Sequence, residues 1–226
     1  MPAPPPEVLS PAARSALTRF VESVTAKLGE NLVALALYGG AAKGRYEELS
    51  SDLNLLVVLR EASAAALDDL AAAVEVARRA VKLDLLTVAE SDLPDCVEVF
   101  AAKFLDIQRH RVLLQGRDVL SGLAISRERL CRQARRELLN LKLRLRHAWL
   151  LRTERPEQVG AGLSRGRKTV QVNLAALLEG AAPSSAEALQ AVLKSLGQAD
   201  PGGPLERRFA GLMREVEAAL QALGPA

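Results

Sequence analysis

Two stretches decide the fold of this 226-residue chain: Leu32-Val-Ala-Leu-Ala-Leu-Tyr-Gly-Gly-Ala-Ala-Lys-Gly44 and Ser51-Asp-Leu-Asn-Leu-Leu-Val-Val58. The first is an apolar run that ends in two glycines, which indicates a buried strand followed by a tight turn. The second is a strand that begins with the polar residues Asp52 and Asn54. Because alternate residues of a strand point to the same face, these two side chains share one face.

The residues on either side of these stretches follow helix and strand patterns. Ser10-Pro11 predicts the start of a helix that ends at Gly29. Further helices are predicted over residues 64–80 and 91–108, and a fourth strand over 111–114. A third strand, predicted over residues 81–88, carries Asp84 among its apolar residues. This order predicts a mixed sheet with flanking helices.

The character of the chain changes at Ser126. This residue predicts the N-cap of a long helix over 127–152, which has one apolar stripe and a basic opposite side. Three more helices are predicted after it. We therefore expect an α+β protein with three parts: a flexible tail (1–9), a mixed-sheet domain (10–118) and an all-α helical bundle (126–226).

The glycine turn and the polar strand together resemble the DNA polymerase β-like nucleotidyltransferase superfamily, in particular small bacterial domains that carry a C-terminal helical bundle. In that family a Gly-Ser turn precedes an Asp-x-Asp strand, and a neighbouring strand supplies a third carboxylate. Here Gly39 and Gly40 occupy the Gly-Ser positions, and Asp52 and Asn54 occupy those of the Asp-x-Asp pair. The third carboxylate corresponds to Asp84.

The resemblance implies the roles of the site residues. Asp52, Asn54 and Asp84 would be catalytic, with Asp52 and Asp84 as Mg²⁺ ligands. The bound triphosphate would be lined by Gly39, Gly40 and Lys43, the last in place of a frequent arginine. The implied function is binding of a nucleoside triphosphate and transfer of its NMP to a small-molecule or protein acceptor.

The departures from the family pattern leave a second function open. Asn54 offers an oxygen but no negative charge, which weakens metal binding. Gly40 removes a hydroxyl contact, so the alternative is a catalytically inactive pseudoenzyme with a binding or regulatory role. Taken singly, the residues also have structural interpretations: a plain turn for the glycines, local side-chain to backbone bonds for Asp52 and Asn54, and an edge residue facing water for Asp84.

Charge is distributed unevenly along the chain. The net charge is +3, but residues 127–168 hold 13 basic and 4 acidic side chains. The helix 127–152 is therefore either a solvated face or the contact for an acidic or phosphate-bearing partner. Leucines among its bases indicate a second packing side, against the first domain or in a homodimer. The segment 160–168 lacks Walker A spacing, so its cations either bind phosphate as plain charges or lie in a solvated loop.

Composition excludes several protein classes. Hydrophobic residues make up 49% of the chain, enough for a buried core. The longest uncharged apolar run, residues 32–42, is too short to cross a bilayer, and the N-terminus lacks the features of a secretory signal. Two cysteines cannot build a disulfide framework, and no Cys/His cluster has zinc spacing. We therefore expect a cytoplasmic protein without membrane contact.

Overall fold

The chain divides into two compact units in the computed structural model, Met1–Ala124 and Ile125–Ala226. The structure describes residues 6–48, 50–178, 183–198 and 202–224. Of the tail predicted over 1–9, residues 1–5 lie outside the described part. The prediction does not hold for Leu9, whose side chain is buried in the core of the first unit because the chain turns back just before the first helix.

Helices and strands alternate in the first unit. Its strands are β1 (Leu32–Tyr38), β2 (Leu53–Leu59), β3 (Leu83–Ala89) and β4 (Val112–Gly116). Its helices are α1 (Pro11–Leu28), α2 (Gly39–Ala42), α3 (Ala64–Arg78), α4 (Leu93–Val99) and α5 (Ala101–His110), with short 3₁₀ turns at Gly29–Asn31 and Glu90–Asp92. The N-cap predicted at Ser10 is confirmed, since its side chain accepts a hydrogen bond from the amide of Ala13.

One helix predicted from the sequence is two separate helices in the structure. The helix expected over 91–108 breaks at Phe100, whose backbone (φ −117°, ψ 38°) leaves the helical region between α4 and α5. The amide of Phe100 still donates to the carbonyl of Cys96 at 2.8 Å. Buried residues continue at helical spacing on both sides of the break, so the sequence pattern gave no sign of it.

Within the described residues the four strands form one mixed sheet in the order β3-β2-β1-β4. β1 pairs antiparallel with both β2 and β4, whereas β2 and β3 run parallel with α3 between them in sequence. All seven residues of β1 are buried, as its apolar run predicted. The predicted mixed sheet with flanking helices is confirmed.

The sheet is covered on both faces. On one face, Leu55 and Val57 of β2 pack in a common core with residues of α1 and α3. On the other face of the same strand, Leu56 and Val58 are equally buried. Because the residues alternate, Asn54 belongs to the second face, at the end where β2 begins. The sheet therefore presents polar side chains at one end of an otherwise apolar face.

The second unit is all helical in its described part. It consists of α6 (Arg127–Leu150), α7 (Pro156–Leu178), α8 (Pro183–Gln198) and α9 (Leu205–Ala222). Ser126 caps α6 as predicted, accepting from the amide of Arg129 at 3.3 Å. The predicted apolar stripe of α6 is buried at Leu130, Ala134, Leu138, Leu141 and Leu145. The segment 160–168 lies within α7, so it is not a loop. No described helix is both long and apolar enough to cross a membrane.

We predict that Gly116→Ala destabilises the first unit. Gly116 ends β4 with φ +80°, and a Cβ there would lie 2.2 Å from the carbonyl oxygen of Val33 in β1. Strained backbone of this kind costs about 1–3 kcal/mol, so the midpoint of urea unfolding should fall. Gly122→Ala is the matched control, because its Cβ would meet nothing within 4 Å. Equal midpoints for the two variants would contradict the prediction.

Candidate functional site

The strand pairing brings the predicted catalytic residues to one end of the sheet. Asn54 pairs in register with Tyr38 of β1 on one side and with Asp84 of β3 on the other. Neighbouring strands lie about 4.8 Å apart, so the side chains of Asn54 and Asp84 are adjacent. Asp52 lies just before β2, two residues ahead of Asn54. Both aspartates are exposed, so their carboxylates are open to a ligand.

Asn54 makes the local bond that its position at the start of a strand predicts. Its Nδ2 donates to the backbone carbonyl of Asp52 at 3.3 Å. The glycine turn lies directly against this side chain, since a Cβ on Gly39 would be 3.0 Å from the Asn54 Nδ2. Gly39 also has φ +73°, a conformation that favours glycine. Glycine at this position thus avoids both a strained backbone and a tight contact with the side chain of Asn54.

The path of the loop that follows the turn explains why a glycine stands at position 40. The amide of Arg45 donates to the carbonyl of Gly40 at 2.8 Å, which folds the chain back over the turn. As a result the carbonyl oxygen of Arg45 lies 2.9 Å from the position of a Cβ on Gly40. A serine, which the related motif has here, would contact that backbone oxygen. In this chain the returning loop takes the space of the missing side chain.

Lys43 forms an ion pair with a residue of the same chain. Its ammonium lies 2.5 Å from Oδ1 of Asp106 on α5, and its side chain is 22% exposed. His110 Nδ1 is 3.2 Å from the same carboxylate oxygen. Partly exposed ion pairs of this kind are weak, so a more highly charged anion can compete with Asp106 for the ammonium. Its predicted role at a triphosphate stays a prediction.

Sequence reasoning missed two residues beside the site. Tyr38 is 7% exposed, and its pKa is raised, first by burial and then by the negative charge of Asp84. Lys103 of α5 places its ammonium over the Tyr38 ring, 5.9 Å from the centroid. Lys103 follows helical spacing with Asp106 and His110 on one side of α5, which is the sequence signal that would have found it. Lys103 thus adds positive charge near the acidic end of the sheet.

The donor atoms at this end fit a hard cation. Two carboxylates, Asp52 and Asp84, and the amide oxygen of Asn54 are the ligand types that Mg²⁺ prefers. They carry two negative charges where the family pattern has three. Among the described residues no group of three His, Cys, Asp or Glu side chains is arranged to hold a metal. Mg²⁺ commonly takes one or two carboxylates plus the phosphates of a substrate, and this set suits that mode.

The basic helix is largely engaged within its own unit. Arg132 pairs with Glu128, Arg135 donates to the carbonyl of Gly224 at 2.5 Å, and the ammonium of Lys142 lies 2.8 Å from Glu217. The leucines among these bases are exposed: Leu139 by 42%, Leu143 by 62% and Leu150 by 74%. The interaction predicted for the helix 127–152 therefore has an exposed apolar component, and its partner stays a prediction.

We predict that Gly40→Ser, which restores the motif residue, lowers stability. The new Cβ would meet the Arg45 carbonyl at 2.9 Å, closer than real side chains approach backbone oxygen, so the loop must move. A displaced loop would also lose the Arg45–Gly40 hydrogen bond, which contributes about 1 kcal/mol. The melting temperature should fall for Gly40→Ser and stay unchanged for the control Glu61→Gln, which lies on an exposed loop. An unchanged melting temperature in Gly40→Ser would contradict the prediction.

One comparison with a solved structure supports the fold. No protein-family model and no curated protein matches the chain. Among solved structures, spectinomycin adenyltransferase AAD(9) from Enterococcus faecialis, with ATP and spectinomycin, aligns with a TM-score of 0.51 and 10% identity over 93% of this chain and 99% of that chain. A nucleotidyltransferase-like protein from Exiguobacterium sibiricum 255-15 aligns with a TM-score of 0.36 and 16% identity over 92% of this chain and 74% of that chain.

The first alignment includes both units of the chain. The alignment therefore covers residues of the mixed sheet and of the helical unit that follows it. The resemblance first noted at Gly39 and Asp52 is confirmed at the level of the fold. This chain has the fold of the nucleotidyltransferase superfamily, with a helical C-terminal part.

Proposed function

We propose that this protein binds a nucleoside triphosphate and transfers its NMP to a hydroxyl group of an acceptor. The proposal rests on the register of β2 and β3. This register pairs Asp84 with Asn54, and Asp52 lies two residues before Asn54 in the sequence. A small-molecule acceptor is favoured over a protein, because the similar structure with ATP and spectinomycin is a spectinomycin adenyltransferase.

The chemistry is an in-line displacement at the α-phosphorus. The acceptor oxygen forms a bond to this phosphorus while the bond to the bridging oxygen breaks, and pyrophosphate leaves. The hydroxyl proton passes to a carboxylate of Asp52 or Asp84, both exposed at the sheet end. Mg²⁺, when bound by these carboxylates, supplies positive charge for the phosphate oxygens. The positive φ of Gly39 turns the backbone sharply beside them, where its amide groups can bind phosphate.

The cations near the sheet end would bind the triphosphate. Lys103 is held over the Tyr38 ring, and Lys43 is held by Asp106. A triphosphate carries more charge than the single carboxylate of Asp106, so it can draw the Lys43 ammonium away from this partner. Asp106 therefore keeps Lys43 in place until the nucleotide arrives.

The alternative is a catalytically inactive protein of this fold that binds a partner. The exposed leucines of α6, Leu139, Leu143 and Leu150, favour it, because such a row on a basic helix suits a docking face. Asn54 also favours this alternative, because the metal site has one negative charge fewer than in the family pattern. The two functions differ in whether the sheet end supports turnover.

We predict that calorimetric titration detects binding of at least one of the four common nucleoside triphosphates in the presence of Mg²⁺. Asp84→Asn should weaken this binding about tenfold, the loss expected when a charged contact is removed. Asp69→Asn is the matched control, because it removes the same charge from an exposed position on α3. No heat with any of the four nucleotides, or equal loss in both variants, would refute nucleotide binding at this site.

We predict that Asn54→Asp raises transferase activity by about ten- to a hundredfold, the range typical of changes around a metal site. The added carboxylate restores the third negative charge beside Asp84. Pyrophosphate release with each triphosphate and a panel of small hydroxylated acceptors is the measurement, with Asp52→Ala as the inactive control. Activity in the wild type that is lost in Asp52→Ala marks a working site. Absence of turnover in both the wild type and Asn54→Asp favours the binding protein.

A further inference from the structure

A groove runs between α6 and α7 in the second unit. Its volume is about 470 Å³, which is within the size range of small-molecule sites, about 300–1,000 Å³. The floor is apolar and formed by buried side chains, among them Leu145 and Val159. No aspartate or glutamate of the described residues lines it.

Two glycines of α7 shape the groove. A Cβ on Gly166 would lie 3.0 Å from Leu141 Cδ1 and 3.0 Å from Leu212 Cδ2, so this glycine lets α7 pack closely on its neighbours. One turn earlier, a Cβ on Gly162 would meet nothing within 4 Å. The helices are therefore in close contact at Gly166 and leave open space at Gly162. This space is the groove.

Four basic side chains surround the open space. Arg144 and His147 come from α6, Arg165 from α7 and Arg155 from the segment between the helices. Lys142 of α6 pairs with Glu217, but no hydrogen bond or ion pair joins these four exposed side chains to any residue that the structure describes. Guanidinium groups left without acceptors around one cavity attract an anion.

We propose that this groove binds a small molecule with an apolar body and one anionic head group, a carboxylate or a phosphate. The floor around Leu145 and Val159 accepts the apolar body, and the head group is held by Arg144, Arg155 and Arg165. A free inorganic anion would leave the apolar floor in water. A neutral apolar molecule would leave the guanidinium groups without an acceptor and partly desolvated.

The proposal is independent of the proposed transferase function. All the lining residues belong to the second unit, whereas Asp52 and Asp84 belong to the first. The groove can therefore bind its ligand whether or not the sheet end supports turnover. Variants at the two sites separate the two proposals.

Calorimetric titration with four probes tests the ligand class. The probes are 1-naphthyl phosphate, 1-naphthoate, 1-naphthol and inorganic phosphate. We expect 1-naphthyl phosphate or 1-naphthoate to bind at least about tenfold more tightly than 1-naphthol and inorganic phosphate, because only these two satisfy both the floor and the cations. The stronger of the two identifies the head group. Absence of saturable binding by both, or equal affinity for 1-naphthol, would overturn the proposal.

Two variants with matched controls locate the site. Gly162→Leu fills the open space and should abolish binding, whereas Gly211→Leu on α9, whose Cβ also meets nothing within 4 Å, should leave it unchanged. Arg165→Ser should weaken binding of the anionic probe about tenfold, and Arg146→Ser, which removes the same charge from α6 outside the groove, should not. Unchanged affinity in both Gly162→Leu and Arg165→Ser would place the probe elsewhere and overturn the proposal.

Discussion

The register between the parallel strands β2 and β3 is the constraint on which the candidate site depends. It sets Asp84 of β3 beside Asn54 of β2, and the antiparallel pairing of β1 sets Tyr38 on the other side. A shift of one residue would turn Asp84 to the opposite face, into the core formed with α1 and α3. That shift is unfavourable because it would bury the carboxylate of Asp84 in this apolar core. Packing of the core thus determines where the carboxylates lie.

The two departures from the family motif are linked to the same turn. The side chain of Asn54 lies against Gly39 and bonds to the carbonyl of Asp52, while Gly40 makes room for the carbonyl of Arg45. Asn54 therefore has a structural role that an aspartate could not fill in the same way, since a carboxylate has no N–H to donate. The turn and the strand are thus adjusted to each other in this chain.

Much of the first unit could be predicted from the sequence, because its signals are local. The apolar run before Gly39, the alternation after Asp52 and the serine at position 10 each report on neighbouring residues. The contacts of Lys43 could not be predicted, since Asp106 lies 63 residues away and on a helix that the pattern failed to divide at Phe100. The groove at Gly162 was missed for a related reason: a glycine in a helix reveals neither the neighbouring helix nor the space it leaves open.

The central claim is that the sheet end holds a nucleotide through the glycine turn and two carboxylates. A crystal structure of the protein soaked with ATP and Mn²⁺ tests it most directly, because the anomalous signal of manganese locates the metal independently of the phosphates. Manganese is expected at Asp52 and Asp84, with the triphosphate against the Gly39–Gly40 turn. A nucleotide bound elsewhere on the chain, or a turn and carboxylates without nucleotide and metal at saturating ATP, would contradict it.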